Sequence, residues 1–149
     1  VDRDGNVNTT FLNGKIAGVG GFPNISANAR HSIFVGSFTA GGLKCHIEDG
    51  KMCIDQEGRF DKFVESCAQL SFNAQQCLAK GNRVTFITER CVIKRTAQGM
   101  VLAEVAPGID IQTQILDHMG FKPIIPEGGP ALMDAGLFSE TWGRLGDHF

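Results

Sequence analysis

Arg83-Val84-Thr85-Phe86-Ile87-Thr88-Glu89-Arg90-Cys91-Val92-Ile93-Lys94-Arg95-Thr96-Ala97-Gln98-Gly99-Met100-Val101-Leu102-Ala103-Glu104-Val105 is the stretch on which the fold turns. Its β-branched content makes 84–88 the clearest strand of the chain. The apolar runs 91–94 and 100–105 flank Thr96-Ala97-Gln98-Gly99 and read as a hairpin. Upstream, 31–38 contains Ile33-Phe34-Val35 between glycines and reads as a buried strand. Alternation on both sides of Asp49-Gly50 gives another hairpin across 44–54, and 63–65 and 70–72 read as further strand material. Short helices are expected over 22–29, over 73–80 before Gly81, and over 110–119, where Ile111, Ile115, Leu116 and Met119 share one face and Asp110 is the cap. Asp4-Gly5-Asn6 is a turn signal ahead of an extended stretch near 7–10. Strands thus dominate, with a few short helices, and the pattern is α/β or α+β with the strand order open.

The 149 residues suffice for one domain, and nothing resembling a repeat or linker divides them. A hydrophobic fraction of 42% is that of a globular chain, and a net charge of −2 leaves no footprint for nucleic acid or an anionic membrane surface. No apolar run approaches the roughly 20 residues that span a bilayer. Val1-Asp2-Arg3-Asp4-Gly5-Asn6 carries neither an initiator Met nor a signal-peptide pattern and reads as the middle of a turn, as expected of a truncated chain. Five cysteines, at 45, 53, 67, 77 and 91, cannot all pair within the chain and form no C-x-x-C. They are expected to be free, mostly buried thiols in a reducing compartment rather than metal or redox ligands.

Chemistry-bearing motifs are few. Ile16-Ala17-Gly18-Val19-Gly20-Gly21-Phe22 fails the dinucleotide fingerprint, because the third glycine position holds Pro23, and it lacks the Gly-Lys-Ser/Thr of a phosphate loop. Its glycines are suited either to a plain turn or to presenting main-chain N–H groups to an anion. Glu89-Arg90 follows a strand directly and reads as a turn salt bridge in preference to a general base. His31, His46, His118 and His148 are scattered without local carboxylate partners, and there is no G-x-S-x-G. The phenylalanines read as core, while Trp142 sits in the terminal tail.

In order along the chain, Asp4-Gly5-Asn6-Val7-Asn8, Ile16-Ala17-Gly18-Val19-Gly20-Gly21-Phe22, Phe34-Val35-Gly36-Ser37-Phe38-Thr39-Ala40-Gly41-Gly42-Leu43, Glu57-Gly58, Lys62-Phe63-Val64, Ile87-Thr88-Glu89-Arg90-Cys91-Val92, Glu104-Val105-Ala106-Pro107-Gly108-Ile109-Asp110 and Phe121-Lys122-Pro123-Ile124 resemble the class I CoA-transferases. The likeness is to the propionate/acetate, short-chain acyl-CoA:carboxylate type, and covers about residues 2–138. It implies an open, layered α/β sheet with flanking short helices, an incomplete domain in which 1–138 supplies the carboxy-terminal part of the second half and 139–149 is a divergent or poorly ordered tail. It also implies a ping-pong reaction in which a glutamate attacks the acyl-CoA and becomes a glutamyl-CoA thioester, with coenzyme A as substrate and no permanently bound cofactor or metal.

That glutamate belongs to a Glu-x-Gly segment upstream of the matched region. Glu89 matches a family glutamate at a strand end, so no residue here takes the nucleophile's role. Carried over are Gly18, Gly20 and Gly21, the loop facing the thioester, with Gly20 or Gly21 as amide donor, and Lys44 as a weaker contact for CoA phosphates. The expected partners are an acyl-CoA, a short-chain carboxylate and the missing amino-terminal portion, in a cytoplasmic homo-oligomer without nucleic acid or membrane. Two rival readings stay open: an acyl-CoA hydrolase on the same fold, and a non-catalytic fragment that binds CoA or a partner subunit.

Overall fold

Turn chemistry sets the rhythm of the chain, whose computed structural model describes residues 1–12, 14–141 and 146. Asp2 organises the first turn by accepting from the amides of Asp4 and Asn6 at 3.0 and 2.9 Å. A small antiparallel ribbon of β1 (Phe11–Leu12) and β2 (Lys15–Ile16) leads to α1 (Phe22–Asn28), where Pro23 occupies the first turn and gives up no helical hydrogen bond. Then come β3 (His31–Val35), β4 (Thr39–Ala40), the hairpin β5 (Lys44–Glu48) and β6 (Lys51–Gln56), and β7 (Phe60–Asp61), which pairs with β4. Asn73 caps α2 (Ala74–Ala79) by accepting from the Gln76 amide at 2.9 Å. β8 (Arg83–Ile87), β9 (Cys91–Thr96) and β10 (Gly99–Val105) follow. Last come α3 (Ile111–Gln114), a 3-10 turn at Leu116–His118, β11 (Ala131–Leu132) and a 3-10 turn at Ala135–Phe138.

The expected strand at 84–88 and the hairpin that follows it form the middle of a five-stranded sheet of order β11-β10-β9-β8-β3. β8, β9 and β10 are antiparallel, while β3 joins β8 and β11 joins β10 in parallel. Registers Phe34↔Phe86, Phe86↔Ile93 and Ile93↔Leu102 place these side chains in one row on one face. That face carries the main core. Phe34 stacks on Phe86 with centroids 5.2 Å apart and meets Phe72 edge-on at 5.0 Å, and Phe38 stacks on Phe63 at 4.9 Å. Such pairs add about 0.5–1.5 kcal/mol each beyond the area they bury. A smaller cluster of Met52, Val92, Ala106, Met133 and Phe138 covers part of the opposite face.

Three expectations are corrected. The run 31–38 is a strand only to Val35 and is buried on one face alone: Ile33 is 51% exposed and Val35 78%. Period two sends Ser32 and Phe34 into the core and necessarily turns Ile33 and Val35 to the uncovered side. The segments 63–65 and 70–72 make only isolated bridges, because Phe63 and Phe72 are drawn into the aromatic core from irregular backbone. The helix over 110–119 breaks after Gln114, whose carbonyl accepts from Arg90 Nη1 at 2.8 Å instead of continuing the helical ladder. Of the expected tail, 139–141 and 146 are described, and Trp142 and His148 lie outside the described residues.

Arg90 itself is the strongest polar feature of the fold. Its side chain is fully buried, forks onto Glu57 through Nη1 and Nη2 at 3.0 and 2.6 Å, and donates from Nε to Glu89 at 2.6 Å. The guanidinium lies 4.9 Å from the centroid of the Phe38 ring, and Glu89 also accepts from the Phe38 amide at 2.8 Å. Burial alone would lower the Arg90 pKa, but the hydrogen bonds and charges of Glu57 and Glu89 reverse this and raise it. The turn salt bridge read from Glu89-Arg90 is present, with Glu57 as a further member.

Arg90→Ala is expected to destabilise the chain by about 3–5 kcal/mol, because it strands two carboxylates in a largely dry site. Urea unfolding followed by circular dichroism measures this; a loss below about 1 kcal/mol, the scale of a surface pair, would contradict it. Arg90→Lys should not restore stability, since an ammonium cannot fork onto Glu57 while reaching Glu89.

Candidate functional site

Parallel strands end on the same side of a sheet, and loops leaving those ends commonly enclose a ligand crevice. Here the carboxy ends of β3 and β8, Val35-Gly36-Ser37 and Phe86-Ile87-Thr88, open into a cleft of about 820 Å³. Leu12, Phe22, Phe60, Lys62 and Phe63 are among the residues that line it. Most of the lining is apolar. The cation at its wall is Lys62, whose Nζ donates to the Ser37 carbonyl at 2.5 Å, while Ser37 Oγ donates to the Thr39 carbonyl at 2.7 Å. Thr9 also lines the cleft, and its buried hydroxyl has no hydrogen-bond partner among the described residues.

Leu12 before the glycine loop and Phe22 after it line this cleft, whereas Gly18, Gly20 and Gly21 are not among its lining residues. Local bonds fold the loop: the Ala17 amide donates to the Thr10 carbonyl at 2.7 Å and the Phe22 amide to the Val19 carbonyl at 3.1 Å. The amides of Gly18, Gly20 and Gly21 donate to no acceptor among the described residues. Gly20 has φ +52, in the region that favours glycine. At Gly18 a Cβ would meet nothing within 4 Å, so packing within this chain does not require a glycine there. Lys44 stands exposed at the start of β5, opposite Gln56, and is not among the residues that wall the cleft.

Sequence reasoning gave Lys62 no role, since a single lysine in a strand-like run carries no local signal. The histidines find partners across the fold that sequence neighbours do not reveal. His118 Nδ1 lies 3.1 Å from Asp61 and Nε2 3.6 Å from Glu57. His46 Nδ1 lies 2.9 Å from Asp55, and the hydrogen bond and charge of that carboxylate raise the imidazole pKa. His31 meets the Thr85 hydroxyl at 2.9 Å, and burial, followed by the charges of Arg83 and Lys94, lowers its pKa.

All five cysteines are free, as expected, but only Cys77 and Cys91 are buried; Cys45 is exposed, and Cys53 and Cys67 are intermediate. Burial pushes the Cys91 thiol up to about 12. That of Cys77 is raised for the same reason. Among the described residues, no helix is long and apolar enough to cross a membrane.

No family model matches the chain. It is 48% identical over 142 residues to an acetate CoA-transferase of Escherichia coli K12, a match that covers 95% of this chain and 26% of that protein. It is 40% identical over 151 residues to a caffeate CoA-transferase of Acetobacterium woodii, covering 97% of this chain and 28% of the relative. The crystal structure of an acyl-CoA transferase from Escherichia coli O157:H7, in a thioester complex with CoA, superposes with a TM-score of 0.91 at 45% identity. That superposition covers 95% of this chain and 27% of the other. The chain therefore spans about a quarter of the length of the relatives it matches.

Iodoacetamide at about pH 8 is expected to alkylate Cys45 and Cys53 in the folded chain and to reach Cys91 only after unfolding. Peptide mass spectrometry reads this out. Labelling of Cys91 at the rate of Cys45 would show that its strand is not held as described.

Proposed function

We propose that the chain is the carboxy-terminal portion of a CoA-transferase, which moves CoA between a short-chain acyl-CoA and a carboxylate such as acetate or propionate. Homology with CoA-transferases over 95% of the chain carries this reading, and the superposition of 95% of this chain on 27% of one of them supports it. The parent would be a cytoplasmic homo-oligomer in which the remaining three quarters close the cleft. The exposed Ile33 and Val35 and the unpartnered Thr9 hydroxyl fit a surface meant to be covered.

In the reaction, a glutamate carboxylate from the remaining portion attacks the thioester carbonyl, and a tetrahedral oxyanion forms. Collapse expels CoA thiolate and leaves a mixed anhydride. The thiolate then attacks the glutamyl carbonyl and releases the first carboxylate, giving a glutamyl-CoA thioester. The acceptor carboxylate runs the same steps backward. CoA stays in a thioester at the end of each half-reaction, so no nucleotide hydrolysis is required. The chain's own part is electrostatic. Gly18, Gly20 and Gly21 offer amides with no internal acceptor, and Gly20 or Gly21 would donate to each oxyanion as it forms. Lys44 and Lys62 are cations suited to the CoA phosphates, Lys62 being the one at the cleft wall. Glu89 is held by Arg90 and the Phe38 amide, which fits a structural role and not a nucleophilic one.

The 149-residue chain alone is expected to be inactive in a CoA-transfer assay, and robust activity would overturn the proposal. In the intact parent, borohydride should trap a glutamyl-CoA thioester outside this segment, and the rate should depend on added acetate. A rate indifferent to acetate would instead favour hydrolysis by water. Gly18→Ala in the parent keeps every loop amide but places a methyl where the acyl group must approach them, so it should lower kcat about 10-fold or more while leaving the unfolding midpoint unchanged. An unaltered kcat would show that the acyl group does not approach the loop at Gly18.

A further inference from the structure

The hairpin of β5 and β6 uses only one of its faces for packing. Met52 and Ile54 turn inward to the smaller core, so period two turns Cys53 and Asp55 outward. On the facing strand His46 and Glu48 share that outer side, and the register sets His46 directly opposite Cys53. Donor atoms of His46, Glu48 and Cys53 lie within 4.8 Å of one another. His46 is held in a particular way: Nδ1 lies 2.9 Å from an Asp55 oxygen, while Nε2 lies 4.0 Å from Glu48. An imidazole that donates from Nδ1 to a carboxylate keeps its Nε2 lone pair free and aimed, the arrangement found behind metal-bound histidines.

We propose that His46, Glu48 and Cys53 form a surface site for a thiophilic divalent cation, zinc first, with Asp55 orienting the histidine. One imidazole, one thiolate and one carboxylate are a zinc or cobalt(II) donor set and unsuited to magnesium or calcium. Zinc bond lengths place tetrahedral donors about 3.3–3.8 Å apart, so closure from the present spacing needs a movement of about 1 Å. The His46 and Glu48 side chains are exposed and free to make it. Three protein donors leave one position for water or an external ligand. The spacing H-x-E-x₄-C spans a turn and matches no short metal motif, which is why the sequence reads only as scattered histidines and thiols.

Cobalt(II) added to the 149-residue chain should produce a thiolate-to-cobalt charge-transfer band with d–d bands of tetrahedral intensity, and zinc should abolish both. Cys53→Ser and His46→Ala should lose the band, and Cys45→Ser, on the opposite face of the hairpin, should keep it. Asp55→Asn should weaken binding about 10–100-fold without removing the spectrum. Zinc should also slow alkylation of Cys53 in the unaltered chain by about 10-fold, leaving Cys45 unchanged, a readout independent of any variant's folding. A charge-transfer band that survives Cys53→Ser, no band at all, or equal alkylation of Cys53 with and without zinc would each overturn the site.

Discussion

A buried guanidinium must have its donors satisfied, and in this chain that requirement organises the irregular half of the molecule. Arg90 leaves the end of β8 at a tight turn and gathers Glu57, Glu89 and the Gln114 carbonyl around one point under the Phe38 ring. These partners come from segments separated by dozens of residues, none of which belongs to the central sheet. Hydrophobic burial would hold them loosely, because apolar contact has no direction. The fork geometry of Arg90 fixes their orientation and, through the Phe38 amide on Glu89, the path of the chain as it leaves β3. The walls of the cleft are therefore located by a polar network beside the aromatic core, and not by the sheet alone.

Local chemistry made some of this legible and hid the rest. Asp49-Gly50 and Thr96–Gly99 mark their hairpins because turn residues and alternation agree there, and both hairpins form. Asp110 is a cap by residue type and acts as one. The same logic fails where a distant group intervenes. Nothing near Gln114 announces that Arg90 will take its carbonyl, so the helix drawn through 110–119 overshoots. Ile33-Phe34-Val35 looks fully buried because an apolar run carries no record of which face the rest of the protein covers. Phe63 and Phe72 look like strand residues because bulk is read as pairing, whereas here bulk only fills the core.

The site divides along the same line. Gly18, Gly20 and Gly21 stand out in the sequence because glycine is informative about the backbone, and their amides donate to no acceptor among the described residues. Lys62, His118 and the outer face of the β5–β6 hairpin were invisible because side-chain meetings across a fold leave no spacing rule. Glu89 illustrates the converse: its position after a strand invites a catalytic reading, and only its partners show that both carboxylate oxygens are engaged. Residue type proposes chemistry; satisfied hydrogen bonds withdraw it.

The outer edge of β3 has a consequence for solubility. Among the described residues no strand pairs with that edge, and the neighbouring side chains Ile33 and Val35 are large, apolar and exposed. Soluble proteins commonly guard such edges with lysine, proline or a bulge, and none of these interrupts 31–35. An unguarded rim is harmless when its intended neighbour reaches it first and sticky when it does not. Expressed by itself, the segment would face a race between its proper complement and other copies of the same edge, and concentration would decide the winner.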